Sequence, residues 1–173
     1  EEIAPSEPMT LSVGDIRATH DRDLADRLGN LVQRCSALAA KLSAARVPDP
    51  GPETPDAARL RALATALHPR VDAALDAFLP DDAAAAIIDL VDQANRCLEA
   101  TAPWRLARTD PARAASAVYA PLEAARFAAG ELAPFVPGIA QTIAARLGDA
   151  SLAPVWGELR AGGELRIGAQ PVP

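Results

Sequence analysis

The sequence predicts an all-α protein, a bundle of five helices with an extended C-terminal tail, and three observations carry that prediction. Half of the 173 residues are hydrophobic but only 3% are aromatic, so alanine and leucine, both strong helix formers, must build the interior. The β-branched and aromatic runs that favour strands are scarce. Apolar residues recur at alternating steps of three and four, the period of one helix face. At this length a single domain can bury a sizeable core.

The elements follow in order. Residues 1–19, beginning EEIAPSEPMT, read as an acidic, proline-containing linker. The first helix spans about residues 20–45, with Leu24, Leu28, Leu31, Cys35, Leu38 and Leu42 as its stripe. The connector RVPDPGPETPD then stops it, because no helix passes through such a proline run. The second helix runs from about Asp56 to Phe78 on Leu60, Leu63, Leu67, Val71, Leu75 and Phe78, with a break or kink expected near His68 because Pro69 follows. The third runs from Asp81 to about Ala100, its acidic start suited to the positive end of a helix, and buries Ile87, Leu90, Val91, Ala94 and Leu98. A loop carrying Trp104 follows. Thr109 or Asp110 caps the fourth helix and Pro111 occupies its first turn; Val118, Leu122, Ala125 and Ala129 form its buried face, and Pro121 is expected to kink it. The fifth, from APFVPGIAQ onward, ends at Gly148, a residue free to adopt positive φ. Residues 20–148 are thus the bundle, and 149–173 a short helix and tail containing Trp156, read as a packing residue.

The formal net charge of −6 argues against a protein that holds nucleic acid mainly by neutralising phosphates. Any such contact must be local, and DNA is not an expected partner. Cys35 and Cys97 lie in apolar helical patterns without a CxxC motif, so buried free thiols are expected. No run approaches a membrane span and no signal peptide is visible, so the cytoplasm is the expected location. The Ala/Arg/Pro/Asp bias suggests a bacterial, GC-rich source. The missing initiator Met suggests a piece of a longer protein.

Enzyme signatures are absent: no phosphate-binding glycine loop, HExxH or GxSxG occurs. His20 and His68 lack a nucleophile at a telling spacing, and adjacent Asp81 and Asp82 diverge on a helix. No catalytic residue and no metal ligand is assigned. The polar flank of the first helix is more informative. Asn30 and Arg34, at i and i+4, share one face beside the leucine stripe, with Arg27 nearer the stripe. That arrangement can present an amide and a guanidinium side by side, although by spacing alone a solvated helix flank is the simpler explanation. By periodicity alone, Trp104 is a core plug at a helix junction.

Three segments change that reading. DLADRLGNLVQR (23–34), ANRCLEATAPWRLAR (94–108) and ELAPFVPGIAQTIAARLG (131–148) resemble, in order and spacing, the C-terminal anticodon-binding helical bundle of methionyl-tRNA synthetases, which are class I synthetases. The resemblance covers nearly the whole chain. It implies that Asn30 and Arg34 contact anticodon bases, and that Trp104, held by Pro103, stacks on the first anticodon base. Unpaired RNA bases are read in this way, by stacking and by hydrogen bonds to their edges. The implied partner is methionine tRNA through its CAU anticodon, with Arg27, Arg105 and Arg108 as candidate phosphate contacts. Thr19, His20, Asp21 and Asp26 depart from the family's R-Y-N and Asn, replacing two amides by acids and removing a cation. The HIGH and KMSKS catalytic motifs are missing. ATP and Mg would therefore belong to a separate catalytic core, in cis or in trans, and this chain carries no cofactor of its own. The tail is expected to fold back toward that core. The alternative implication is a helical domain of a synthetase-like ligase of specialised metabolism, for example one forming hydrazines, that no longer binds tRNA.

Overall fold

The computed structural model describes residues 27–166, and all architecture below concerns them. Seven helical segments follow one another: α1 (Asn30–Leu42), α2 (Pro55–Thr65), α3 (Leu67–Asp76), α4 (Pro80–Thr101), α5 (Pro103–Leu106), α6 (Pro111–Leu132) and α7 (Pro137–Arg146). They contain the five expected helices. The second is divided into α2 and α3 at Ala66, three residues before Pro69. Pro69 thereby sits in the first turn of α3, where its missing N–H is needed least. The Trp segment is not a loop: Ala102 takes a left-handed φ of 42° and Pro103 starts the single turn α5.

Prolines set most helix starts. Thr54 caps α2 by accepting the Ala57 N–H at 3.2 Å, and Asp110 caps α6 by accepting the Arg113 N–H at 3.0 Å. These side chains satisfy donors that the helix itself leaves unpaired. The fifth helix begins at Pro137, later than its sequence suggests, because Pro134 and Pro137 disfavour helical backbone in the residues before them. Pro121 lies inside α6 without ending it. The expected start of the first helix near residue 20, with Leu24 and His20, lies outside the described residues.

Helix α6 is the axle. Nearly every residue from Val118 to Leu132 is buried, and α1, α2, α4, α5 and α7 all pack on it. Such an all-round apolar helix needs small side chains to let neighbours approach, which its alanines supply. The predicted buried faces of α4 and α6 are found as expected. On α3 the stripe ends early: Leu75 is only partly covered, and Phe78 is 89% exposed with φ 59°. Cys35 and Cys97 are buried free thiols. Burial pushes the Cys35 thiol up to about 12 and the Cys97 thiol up to about 11.

After α7 the chain reverses at Gly148, whose φ is +78° and whose missing Cβ leaves room for the Glu164 carbonyl. The short helix expected here is not formed. Pro154, Gly157, Gly162 and Gly163 break any helical run, and residues 149–166 make turns and an isolated bridge between Arg46 and Glu164. What holds this segment is a buried ion pair that sequence reading missed. The Arg126 Nε donates to Glu123 at 2.6 Å, with both side chains fully buried. Three more of its N–H groups donate to the carbonyls of Ser151, Ala153 and Val155. Glu123 also accepts the backbone N–H groups of Gly157 and Leu159, each at 2.9 Å, and the Tyr119 hydroxyl at 3.2 Å. Trp156 packs on Phe127 with ring centroids 5.8 Å apart, as a packing residue should.

Candidate functional site

The polar flank of α1 meets the C-terminal half of α4 along a seam. Residues 27–29 form a wide helical turn leading into α1, and from there two ion pairs cross to α4: Arg27 to Asp92 at 2.9 Å and Arg34 to Glu99 at 2.5 Å. Both pairs are separated by 65 residues, so the two helices run parallel and in register. Each partner set is spaced by seven residues, two turns of one face.

Arg34 does two things at once. Besides pairing with Glu99, its guanidinium carbon lies 5.8 Å from the centre of the Trp104 ring, a cation–π arrangement. That ring is 40% exposed. It projects from α5, which the left-handed Ala102 and the buried Pro103 hold against α6. The sequence-based choice between a core plug and a presented ring thus resolves into a half-exposed ring at the end of the seam, beside Arg34. Asn30 is exposed on the same flank of α1, and no hydrogen-bond partner for its side chain is found among the described residues.

The candidate phosphate contacts divide into two groups. Arg27 is engaged by Asp92 and by a further interaction. Arg105 and Arg108 are exposed on α5 and just beyond it, and form no ion pair within the described residues. The structure therefore brings Arg34 and Trp104 together, with Asn30 one helical turn before Arg34 on the same flank of α1 and Pro103, Arg105 and Arg108 on the segment that carries the ring. Sequence reading missed Asp92 and Glu99. Their seven-residue spacing matches that of Arg27 and Arg34, but which helix faces which is not written in either segment alone.

An open cavity of about 1180 Å³ lies beside this site, between the proline-rich connector and the adjoining ends of α4, α5 and α6. It is lined by Cys97, Thr101, Leu106 and Arg113 among others, and does not include Asn30, Arg34 or Trp104. At the end of α6, His68 contacts Glu131 at 3.0 Å and Asp72 at 3.5 Å. The Glu131 hydrogen bond and charge raise the His68 pKa above its usual 6.5, with Asp72 adding to the shift. Among the described residues no group of three or more His, Cys, Asp or Glu is placed to hold a metal ion, and no helix is long and apolar enough to cross a membrane.

Comparison with known proteins adds the following. The family described as the anticodon binding domain of methionyl tRNA ligase matches residues 47–165. The methionine–tRNA ligase of Brucella suis is 37% identical over 126 residues, covering 70% of this chain and 24% of that protein. The methionine–tRNA ligase of Mycobacterium bovis is 36% identical over 132 residues, 74% of this chain and 25% of that protein. The chain therefore spans about a quarter of the length of these curated relatives. Among solved structures, Mycobacterium tuberculosis methionyl-tRNA synthetase bound by methionyl-adenylate superposes with a TM-score of 0.85 at 33% identity, over 94% of this chain and 34% of that one. Its free form gives 0.84 at 33% identity, with the same coverage. These relatives do not favour the alternative of a ligase domain of specialised metabolism.

Proposed function

Because the chain belongs to the family of methionyl-tRNA ligase anticodon-binding domains, we propose that it binds methionine tRNA by its CAU anticodon loop, at the end of the bundle where Trp104 and Arg34 meet. In this reading the first anticodon base stacks on the Trp104 ring. Arg34 donates to the acceptors of that cytosine, and Asn30 donates to and accepts from base edges. Pro103 fixes the turn that presents the ring. Arg105 and Arg108 take phosphates, with Arg27 as a third contact. The observation that carries the reading is the juxtaposition of a 40% exposed Trp104 with the Arg34 guanidinium 5.8 Å from its centre. Aminoacylation itself belongs to a class I catalytic core, in cis or in trans, which would hold ATP and Mg.

The test is binding of an anticodon stem-loop by this chain, measured by fluorescence anisotropy. A CAU loop should bind more tightly than a UAU loop. Trp104→Ala should weaken CAU binding by the stacking contribution of about 1–3 kcal/mol, roughly 5- to 150-fold in Kd. Equal binding of both loops, or of neither, refutes the proposal.

A further inference from the structure

The turn that joins α3 to α4 carries the most exposed aromatic ring among the described residues. Phe78 is 89% exposed, with Leu79 and Leu75 beside it at 49% and 37%. The backbone explains how the ring comes to stand out. The Leu79 N–H donates to the Ala74 carbonyl at 2.8 Å, and the Phe78 N–H donates to the Leu75 carbonyl at 2.9 Å. These are the paired bonds of a Schellman helix ending. Phe78 fills the position of that motif which glycine normally takes, with φ 59°, a conformation that strains a bulky residue. The residue thus carries backbone strain and also leaves its ring in water. Glycine would close α3 with less strain, and the fold gains nothing from the ring.

Charge sets the surroundings. Asp72, Asp76, Asp81 and Asp82 are exposed within six residues of Phe78, and no lysine or arginine occurs between Arg70 and Arg96. Arg70 itself faces Asp89, at 3.9 Å. An apolar tip inside an acidic rim is complementary to an apolar pocket bordered by basic side chains. A second copy of the turn is a poor match, because the two acidic rims repel. Three side chains also fall well short of the roughly 800 Å² per partner that an independent interface buries. So small a contact holds when its partner is tethered or already bound elsewhere. We propose that the α3–α4 turn docks on the catalytic core, with Phe78 entering an apolar pocket that has a Lys or Arg rim. The choice of partner rests on the anticodon-binding reading above, and it agrees with place as well as charge. Helix α4 runs for 22 residues between this turn and the Trp104 turn, about 32 Å, so core and RNA hold opposite ends of one helix and do not compete. The curated relatives carry about three quarters of their length outside the part that this chain matches.

The experiment is hydrogen exchange, read by mass spectrometry on residues 74–82, for this chain alone and with the catalytic core of the synthetase, joined in one polypeptide or added as a second one. With the core present, wild type should exchange there about tenfold more slowly. Phe78→Gly should lose that slowing, while the variant chain alone matches or exceeds wild type in melting temperature and binds the CAU stem-loop as wild type does. Asp81→Lys/Asp82→Lys should also weaken the slowing by reversing the charge of the rim. Exchange unchanged by the core, or a Phe78→Gly variant that melts below wild type, overturns the proposal. Slowing that appears on concentrating the chain alone overturns it too, in favour of self-association. Stem-loop binding is read separately. Docking without RNA binding sinks the anticodon reading and leaves the role of the turn standing; RNA binding without slowing does the reverse.

Discussion

Arg126→Met removes the residue on which the C-terminal segment hangs. The guanidinium is fully buried and makes hydrogen bonds to Glu123, Ser151, Ala153 and Val155 at 2.5–2.8 Å. Taking away one member of a buried pair costs about 3–5 kcal/mol, because it strands the other charge. Glu123 keeps three neutral donors, from Tyr119, Gly157 and Leu159, which favours the lower half of that range. The three carbonyls add little, since Ser151, Ala153 and Val155 are exposed residues whose segment can turn to water. Against a total stability of about 5–15 kcal/mol, a loss near 3 kcal/mol is large. With a urea m-value of about 1–3 kcal/mol/M, it moves the midpoint by about 1–3 M, readable by circular dichroism. The double variant Arg126→Met/Glu123→Gln removes both charges and should recover part of the loss. A loss below about 1 kcal/mol for the single variant, or a double variant as unstable as the sum of the singles, would refute this account.

Three further outcomes follow from the same geometry. Gly148→Ala should cost about 2 kcal/mol or more in a urea melt, since a Cβ there meets both a left-handed φ and the Glu164 carbonyl; an unchanged midpoint would show that the turn yields freely. Because Glu131 raises the folded-state pKa of His68, the stabilisation from this contact is complete below the ordinary value near 6.5 and fades as pH rises through the raised one. Melting temperatures of wild type and His68→Gln should therefore differ at pH 6 and converge at higher pH, and divergence on raising the pH would reverse the argument. Binding of the CAU loop should depend only shallowly on salt, with a log–log slope of about −2 for the three proposed phosphate contacts of Arg105, Arg108 and Arg27; a slope steeper than about −4 would mean that cations outside this end of the bundle dominate.

The fold was legible because helix period and proline punctuation are local signals. The buried face of α4 and the Asp110 cap are found where the spacing puts them. Errors arose where a local signal met a tertiary one. Phe78 continues the leucine stripe of its helix, yet the helix ends at Asp76 and the ring is left in solvent. Glu123 and Arg126 look like an ordinary i, i+3 surface pair, but α6 is surrounded on all sides and the pair is buried. Gly130 gave no turn signal either; its role is to let the Leu152 carbonyl come close to α6. Helix spacing put Asn30 and Arg34 on one face, but only the resemblance joined them to Trp104, because the 69 residues between Arg34 and Trp104 carry no periodic sign that they meet.

In the proposed anticodon reading, the charge arrangement explains how an acidic chain suits an anionic loop. Arg27 and Arg34 face acids on α4, so the seam is close to neutral and offers little to a phosphate backbone of arbitrary sequence. Exposed pairs of this kind contribute only about 0–1 kcal/mol to stability, so fold stability alone gives little reason to keep both acids in register. Their physical effect is on the ligand side. Paired arginines stay ordered and oriented, and non-specific attraction is held down. In that reading the free energy of binding comes from the exposed Trp104 ring and from the Asn30 amide, matched to particular base edges. Such contacts discriminate, because a mismatched base leaves polar groups unpaired, whereas charge attraction gains equally from every loop. Weak backbone attraction with strong edge contacts is the balance that reading three unpaired bases requires.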